Sequence, residues 1–498
     1  MQRKKRNIGM LVTVAKMLSM LVIMESLFMY SASLSSFYEI MTNPNPHMVI
    51  LEQRAAKILI LSATITLCMG LIFFLPLRKK DNVIDKRCGF LIVASTWIVF
   101  SLFGSLPYII GNYIPSITDA WFETMSAFTA TGASAMPDVE PLPYGIALWR
   151  IMSEWIGGIG IIVIVLSIVP FAGGGGMALY SAEVTGPTKS KLSPRIKETA
   201  NILLSVYVSL TVVYFLSYHF AGMRWFDALC YAFTTAATGG LAVHNFSASE
   251  FSPTIQYLII LFMTISGSNL LFIYYIFKRN IKEVLKSEEL KVYLSYILIV
   301  TCIIMFITYS SSKGLEETFR NSLFQVVSIL TSTGLTNTDY TIWQTGALVL
   351  LVLLMFSGAM SGSTTGGLKL VRVILLFKSA RTNIKKSLHS NAFVPVLLNK
   401  KPVSEEVLLN VYHLFILYIL SLAIGFLVLV FSGIGLEEAI VSSVSALSNI
   451  GLGFGKSGLG CFAHFPILAK WTMIILMYIG RLELITVFAV FTKSFWKR

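Results

Sequence analysis

Ten stretches of this chain are too apolar and too long to face water. Residues 8–30, 55–77, 89–112, 147–170, 199–220, 255–277, 292–310, 344–368, 409–432 and 466–491 each have the length and composition of a bilayer-crossing helix. In lipid, every backbone N–H and C=O must be satisfied within the chain, so segments of this kind span as helices. Charged residues make up 13% of the 498-residue chain, against roughly 25% in a soluble domain. The expected fold is an all-α polytopic membrane protein with about ten spans.

The cations order these spans. The formal net charge is +14, which on a soluble chain would raise the question of nucleic acid first. Here the excess collects at alternate exits. Arg3, Lys4, Lys5 and Arg6 precede the first segment, and Arg78, Lys79, Lys80, Lys86 and Arg87 follow the second. Lys189, Lys191, Arg195 and Lys197 follow the fourth; Lys278, Arg279, Lys282, Lys286 and Lys291 follow the sixth. Arg372, Lys378, Arg381, Lys385, Lys386, Lys400 and Lys401 follow the eighth, and Lys493, Lys497 and Arg498 close the chain. The other side holds few: Arg54, Lys57, Arg224, Lys313, Arg320 and Lys456. This bias puts both termini in the cytoplasm and makes the lipid bilayer, not nucleic acid, the expected surroundings. The run from Ile8 is of spanning length and no small-residue cleavage site stands out, so it reads as a retained first helix. Cys68, Cys88, Cys230, Cys302 and Cys461 are scattered, as are the histidines, which points to neither a disulfide framework nor a zinc site.

Four outer connections carry one pattern: SAFTATGAS (126–134), FTTAATGGLA (233–242), SILTSTGLT (328–336) and SALSNIGLG (445–453). Aligned on Gly132, Gly239, Gly334 and Gly451, they recur at intervals of 107, 95 and 117 residues by subtraction, a two-span unit repeated four times. Thr131, Thr238 and Thr333 precede the glycine in three copies, and Ile450 in the fourth. One such dipeptide is an ordinary turn signal; four on one side, each between two spans, make a repeat. The apolar stretch before each glycine is about 12 residues, enough for a re-entrant helix but not for a span. Irregular backbone at membrane depth is tolerated where it lines a cavity or is buried in protein. Four such segments around an axis can replace the hydration shell of a monovalent cation with carbonyl oxygens. Glycine supplies the positive-φ conformations this needs, and threonine hydroxyls can add ligands.

Other stretches are equally distinctive. Trp149-Arg150 leads to WIGGIGIIVIVLSIVP (155–170), and EVTGPTKSKLSPRIKETA (183–200), SGAMSGSTTGGLKLVR (357–372), NKKPVSEE (399–406) and GRLELITVF (480–488) follow. With the four glycine segments, these resemble the Trk/Ktr/HKT superfamily of cation transporters, most closely the bacterial Trk-type membrane subunit, over nearly the whole chain. The resemblance implies four membrane–pore-loop–membrane units around a central pore, after two extra N-terminal helices. The corresponding division is 1–87 for the extra helices, then 88–180, 181–285, 286–400 and 401–498 for the pore repeats. It implies a multi-pass protein of the bacterial cytoplasmic (inner) membrane, a homodimer, and a ring of cytosolic regulatory subunits that bind NAD or ATP/ADP. The transported ion would be potassium, held mainly by backbone oxygens around Thr131-Gly132, Thr238-Gly239, Thr333-Gly334 and Asn449-Ile450-Gly451. No bound organic cofactor is expected in this chain. In this superfamily a serine at the first filter glycine accompanies sodium transport, so Gly132 favours potassium.

The eighth segment contains Gly358, Gly362, Gly366 and Gly367 with Ser361, Ser363, Thr364 and Thr365 between them. Each glycine weakens a helix by about 1 kcal/mol relative to alanine, so a straight helix is not expected. The resemblance makes this an intramembrane gate loop below the filter, with Lys369 near the inner side of the pore; close helix packing of the small-residue type is the alternative. Arg481 and Glu483 lie within the last segment, where buried charges are usually paired or functional, and Arg481 is expected to face the gate loop and hold it by hydrogen bonds. Arg150 and Glu154 form an i,i+4 pair on one helix face. Glu123 on the first pore helix reads as structural. Asp138, Glu140 and Asp339 either raise cation concentration at the outer mouth or are solvated loop charges. The basic stretch 369–401 suits anionic lipid or a regulatory partner. An organic-solute transporter would show inverted repeats and a midplane site, and a voltage sensor would show regularly spaced arginines; neither pattern is present. No nucleophile–base pair suggests an enzyme.

Overall fold

The computed structural model describes residues 2–80, 86–160, 196–309, 314–389, 394–482 and 484–497. The fourth expected span beyond residue 160, Lys189, Lys191, Arg195, Lys313, Glu483, Arg498 and the boundary between the first two repeats lie outside the described residues.

The chain opens with a helical hairpin, α1 (Gln2–Thr42) and α2 (Pro46–Leu77). Asn45 starts α2: its side chain accepts from the His47 N–H, and Pro46 occupies the first helical position. Four units follow. The first is α3 (Lys86–Gly104), α4 (Ile117–Phe128) and α5 (Tyr144–Gly158). The second is α6 (Ile196–Phe220), α7 (Trp225–Ala237), α8 (Pro253–Ser266) and α9 (Leu270–Phe277). The third is α10 (Glu288–Thr308), α11 (Gly314–Leu330), α12 (Thr345–Ser357) and α13 (Leu370–Leu388). The fourth is α14 (Glu405–Phe431), α15 (Leu436–Ser448), α16 (Ile467–Arg481) and α17 (Leu484–Phe491). A two-residue hairpin pairing Leu397–Leu398 with Lys401–Pro402 is the sole sheet among the described residues.

Six described helices are long and apolar enough to cross a membrane, or seven if the bent pair α8–α9 counts as one span. Large apolar side chains such as Phe220, Phe306 and Phe431 are more than four-fifths exposed. In water that surface would drive association; in lipid it matches its solvent.

The short helices α4, α7, α11 and α15 hold 12, 13, 17 and 13 residues, about 18–26 Å at 1.5 Å per residue. That is less than a bilayer core of about 30 Å. Every one has an acid in its first turn (Asp119, Asp227, Glu316 and Glu317, Glu437 and Glu438), where the helix dipole favours negative charge.

The helices that follow the glycine segments are also interrupted. Helices α5, α8, α12 and α16 run for 15, 14, 13 and 15 residues and stop beside Gly158, Gly267, Gly358 and Gly480. This corrects the continuous span expected over 255–277, which bends by 95° between α8 and α9. The reason is a capping signal buried inside an apolar run: the Asn269 side chain accepts from the Leu271 N–H at 2.9 Å and starts a second helix. The eighth segment breaks after Ser357, as its glycines predict, and the tenth breaks after Arg481.

Glycine at these breaks permits backbone contact. A methyl group on Gly157 would lie 1.8 Å from the Phe128 carbonyl oxygen, and one on Gly480 would lie 2.1 Å from that of Leu447. The hairpin is tied to the same region, since Glu52 accepts from the Tyr144 N–H at 2.6 Å and caps α5. Gly157→Ala should therefore lower the melting temperature of the detergent-solubilised protein by several degrees, although alanine is the better helix former by about 1 kcal/mol. Gly346→Ala, whose methyl would meet only Ile307 Cδ1 at 3.8 Å, should not. Equal melting shifts for the two would contradict the contact argument.

Candidate functional site

All four short helices end identically. Ala130, Thr238, Ser332 and Asn449 take left-handed conformations with φ near +50°, a cost of roughly 1–2 kcal/mol for a residue with a side chain. Their N–H groups bond to Ala127, Thr235, Ile329 and Ala446 carbonyls at 2.9–3.3 Å. The next N–H groups, of Thr131, Gly239, Thr333 and Ile450, reach back to Ser126, Thr234, Ser328 and Ser445 at 2.8–3.1 Å. This is a Schellman closure repeated four times.

The closure fixes the register and corrects one alignment. The glycines with positive φ after it are Gly132, Gly240, Gly334 and Gly451, at +85°, +92°, +77° and +82°. Gly240, not Gly239, is thus the second repeat's counterpart of Gly132, while Gly239 matches Thr131 and Thr238 matches Ala130. The four segments close on one another in order. A methyl on Gly132 would sit 2.3 Å from the Gly239 carbonyl oxygen, one on Gly240 2.2 Å from that of Thr333, one on Gly334 2.1 Å from that of Ile450, and one on Gly451 2.2 Å from that of Thr131. Each segment's glycine lies against the next segment's carbonyl, around a closed ring. Thr131 and Thr333 hydroxyls pair with Thr129 and Thr331 at 2.7 Å, and Asn449 Nδ2 donates to the Thr131 hydroxyl at 3.0 Å across repeats.

On one side of the ring lies a cavity of about 450 Å³, lined by Gly132, Gly240, Gly334, Arg150, His244 and Asp339 among others. Hydrogen bonds join the loops around it. Asn245 donates to Asp138 at 2.8 Å and through its backbone to Glu140 at 3.1 Å. Ala248 N–H donates to the Thr336 carbonyl at 2.8 Å, the Tyr340 hydroxyl to the Gly453 and Gly458 carbonyls at 2.7 Å, and Ser134 N–H to the Gly460 carbonyl at 2.8 Å. Asp138 and Glu140 are therefore loop fasteners, and Asp339 caps the turn at Thr341.

The expected Arg150–Glu154 pair does not form the principal contact. Arg150 Nε instead donates to Glu123 Oε1 at 2.5 Å, across from α5 to α4. Glu154 accepts from the Leu241 N–H at 3.1 Å and fills the space a side chain at Gly239 would need.

On the other side lies the glycine-rich loop 358–369, which closes on itself where Gly358 meets Gly367. Thr364 hydroxyl bonds to Thr238 at 3.0 Å, the Gly366 N–H donates to Ser332 Oγ at 2.8 Å, and Gly366 packs on the Ser448 carbonyl. Gly362 rests on Asn269 at the α8–α9 break. Arg481 completes the set: it donates to the Thr364 carbonyl at 2.7 Å and to those of Gly157 and Gly158 at 2.7 and 2.9 Å. Lys369 is buried and donates to the Thr365 carbonyl and hydroxyl of the loop itself. The loop touches the second, third and fourth units directly, and Arg481 links it to the end of α5 in the first.

Residues 57–498 match the family model described as TrkH, cation transport protein. The chain belongs to the TrkH family. The Trk system potassium uptake protein TrkH of Salmonella typhimurium is 37% identical over 439 residues, covering 87% of this chain and 91% of that protein. The Trk system potassium uptake protein TrkG of Escherichia coli is 32% identical, covering 91% of this chain and 95% of that protein. The crystal structure of the potassium transporter TrkH from Vibrio parahaemolyticus superposes with a TM-score of 0.84 at 29% identity, covering 98% of this chain and 100% of that one. An all-α membrane fold of the TrkH type is thereby established.

One cavity residue of this TrkH-family chain titrates. His244 Nε2 lies 3.6 Å from Asp227 Oδ1, and the interaction with that carboxylate holds the imidazole above its ordinary value of 6.5. The protonated ring is favoured in the folded state, so its stabilisation is complete below 6.5 and disappears as pH rises through the raised value. The melting temperature should fall more between about pH 6 and about pH 9 in the native chain than in His244→Gln. Parallel curves would contradict this.

Proposed function

We propose that this chain takes potassium into the cell across the bacterial cytoplasmic membrane, through a selectivity filter formed by its four glycine segments. The observation that carries the reading is the closed ring of Gly132, Gly240, Gly334 and Gly451 against the carbonyls of Gly239, Thr333, Ile450 and Thr131. Backbone oxygens at that level substitute for the water shell of a bare monovalent cation. The C-terminal, partly negative ends of α4, α7, α11 and α15 lie at the same place. The family relatives named as potassium uptake proteins support potassium as the ion. The process is transport driven across a membrane, not catalysis.

The repeat units of the pore are 88–180, 181–285, 286–400 and 401–498. Both termini are cytoplasmic, and the working form is a homodimer joined to a ring of cytosolic nucleotide-binding subunits. The loop 358–369, with Lys369 and Arg481, is the gate. Its connection to α13 supports regulation from the cytoplasm: this helix follows Lys369 directly and exposes Phe377, Arg381, Ile384 and Leu388 to a partner. Movement of α13 would pull on the loop.

Rubidium uptake into proteoliposomes, with sodium as competitor, tests the filter. The native chain should favour rubidium and potassium over sodium. Gly132→Ser and Gly240→Ser both place a side chain against a backbone oxygen, and each should lower that preference by roughly tenfold or more, about 1.4 kcal/mol. No monovalent-cation flux with the regulatory partner present would refute the function. A second assay tests the gate. Arg481→Gln loses the fork that reaches three carbonyls, and flux without the partner should rise several-fold. Unchanged basal flux and unchanged regulation would remove Arg481 from the gate.

A further inference from the structure

The residue seven positions before each left-handed cap occupies one equivalent site on all four short helices: Glu123, Tyr231, Gln325 and Ser442. Three of them reach the loop that follows their own glycine. The Tyr231 hydroxyl donates to the Ser247 carbonyl at 2.6 Å, and Gln325 Nε2 donates to Asn337 Oδ1 at 3.5 Å. Glu123 accepts from the Ala135 N–H at 2.7 Å and from the Ser134 hydroxyl at 3.2 and 3.1 Å. Only the first repeat uses a charge there. That charge recruits Arg150, whose Nε donates to Glu123 at 2.5 Å while its Nη1 donates to the Ala242 carbonyl at 2.9 Å.

Ala135 lies three residues beyond Gly132, and Ala242 two beyond Gly240. Arg150 and Glu123 therefore connect the first segment to the second through one fixed fork, and Arg150 also lines the cavity above the ring. Both side chains are buried, with 3% and 0% exposure. A buried pair of this kind adds little stability over apolar residues of the same volume, and its attested contribution is to fix one geometry. Arginine suits that task because its planar fork holds two donors in one fixed orientation, where an ammonium is a point charge on a flexible stem.

We propose that Arg150 and Glu123 are positioning residues for ion discrimination, holding the first two glycine segments at the spacing that selects the cation. The proposal rests on the filter reading above. Without the pair, the backbone oxygens on this side of the ring relax, and a smaller cation is accepted along with potassium. Neither residue touches the ion; they act through Ala135 and Ala242.

The test is rubidium uptake and its competition by sodium in proteoliposomes, for the native chain, Glu123→Gln, Arg150→Gln, Arg150→Lys and the double glutamine variant, with melting temperature measured on each. The expected result is a tenfold or greater fall in rubidium-over-sodium preference in each single variant, with monovalent flux retained. The double variant should be no worse than either single one, because the two residues act as one unit. Arg150→Lys keeps the charge but loses the second arm, and serves if the glutamine variants yield no folded protein. An unchanged preference in variants that only melt earlier would overturn the proposal and leave a fold-supporting pair. A native chain with no potassium or rubidium flux would refute the filter reading instead.

Discussion

Everything in this structure depends on satisfying backbone that is not helical. Between their helices, four segments leave the i→i−4 ladder where the chain is otherwise apolar, and an unmet N–H or C=O there costs several kcal/mol. The Schellman closures at Ala130, Thr238, Ser332 and Asn449 deal with the helix ends. The loops beyond are joined to each other by Asn245, Ala248, Tyr340 and Ser134. The glycines and carbonyls left between these two sets of bonds form the ring. A ring made this way is rigid because its neighbours on both sides are already committed.

The same constraint explains the interrupted second helices. Gly157 and Gly480 touch carbonyls at the ends of α4 and α15, so the second helices approach the short helices more closely than side chains allow. Their breaks leave room for the loop 358–369, whose Ser and Thr hydroxyls and glycine backbone groups bond to what lies around it. Its alternation of small polar residues follows from that role: a helix would satisfy its own backbone and bind nothing. Arg481 joins this loop to α5 through the backbone oxygens of Thr364, Gly157 and Gly158, and its guanidinium also lies over the Trp97 ring.

The sequence carried the helices, the fourfold pattern and the broken eighth segment because these rest on local signals: apolar length, glycine recurrence and small polar residues. Two features were missed although a signal existed. The break at Gly267–Asn269 carries a helix-start residue, but the surrounding apolar run reads as continuous over a spanning window. The register of the second segment was ambiguous because Gly239 and Gly240 are adjacent. The Ser or Thr six residues before each glycine (Ser126, Thr234, Ser328, Ser445) selects Gly240, since Gly239 would place Phe233 there. The Arg150–Glu123 pair had no local signal. Its i,i+4 alternative on α5 was visible, and the better partner came from another helix 27 residues away.

The most direct measurement is the position of a heavy monovalent cation in crystals grown with rubidium or thallium. Anomalous density on the axis, coordinated by the carbonyl oxygens of Thr131, Gly239, Thr333 and Ile450, is the predicted result. Density confined to the acidic residues of the outer loops, with none at the ring under saturating cation, would contradict the claim that these four backbone segments form the ion-binding site.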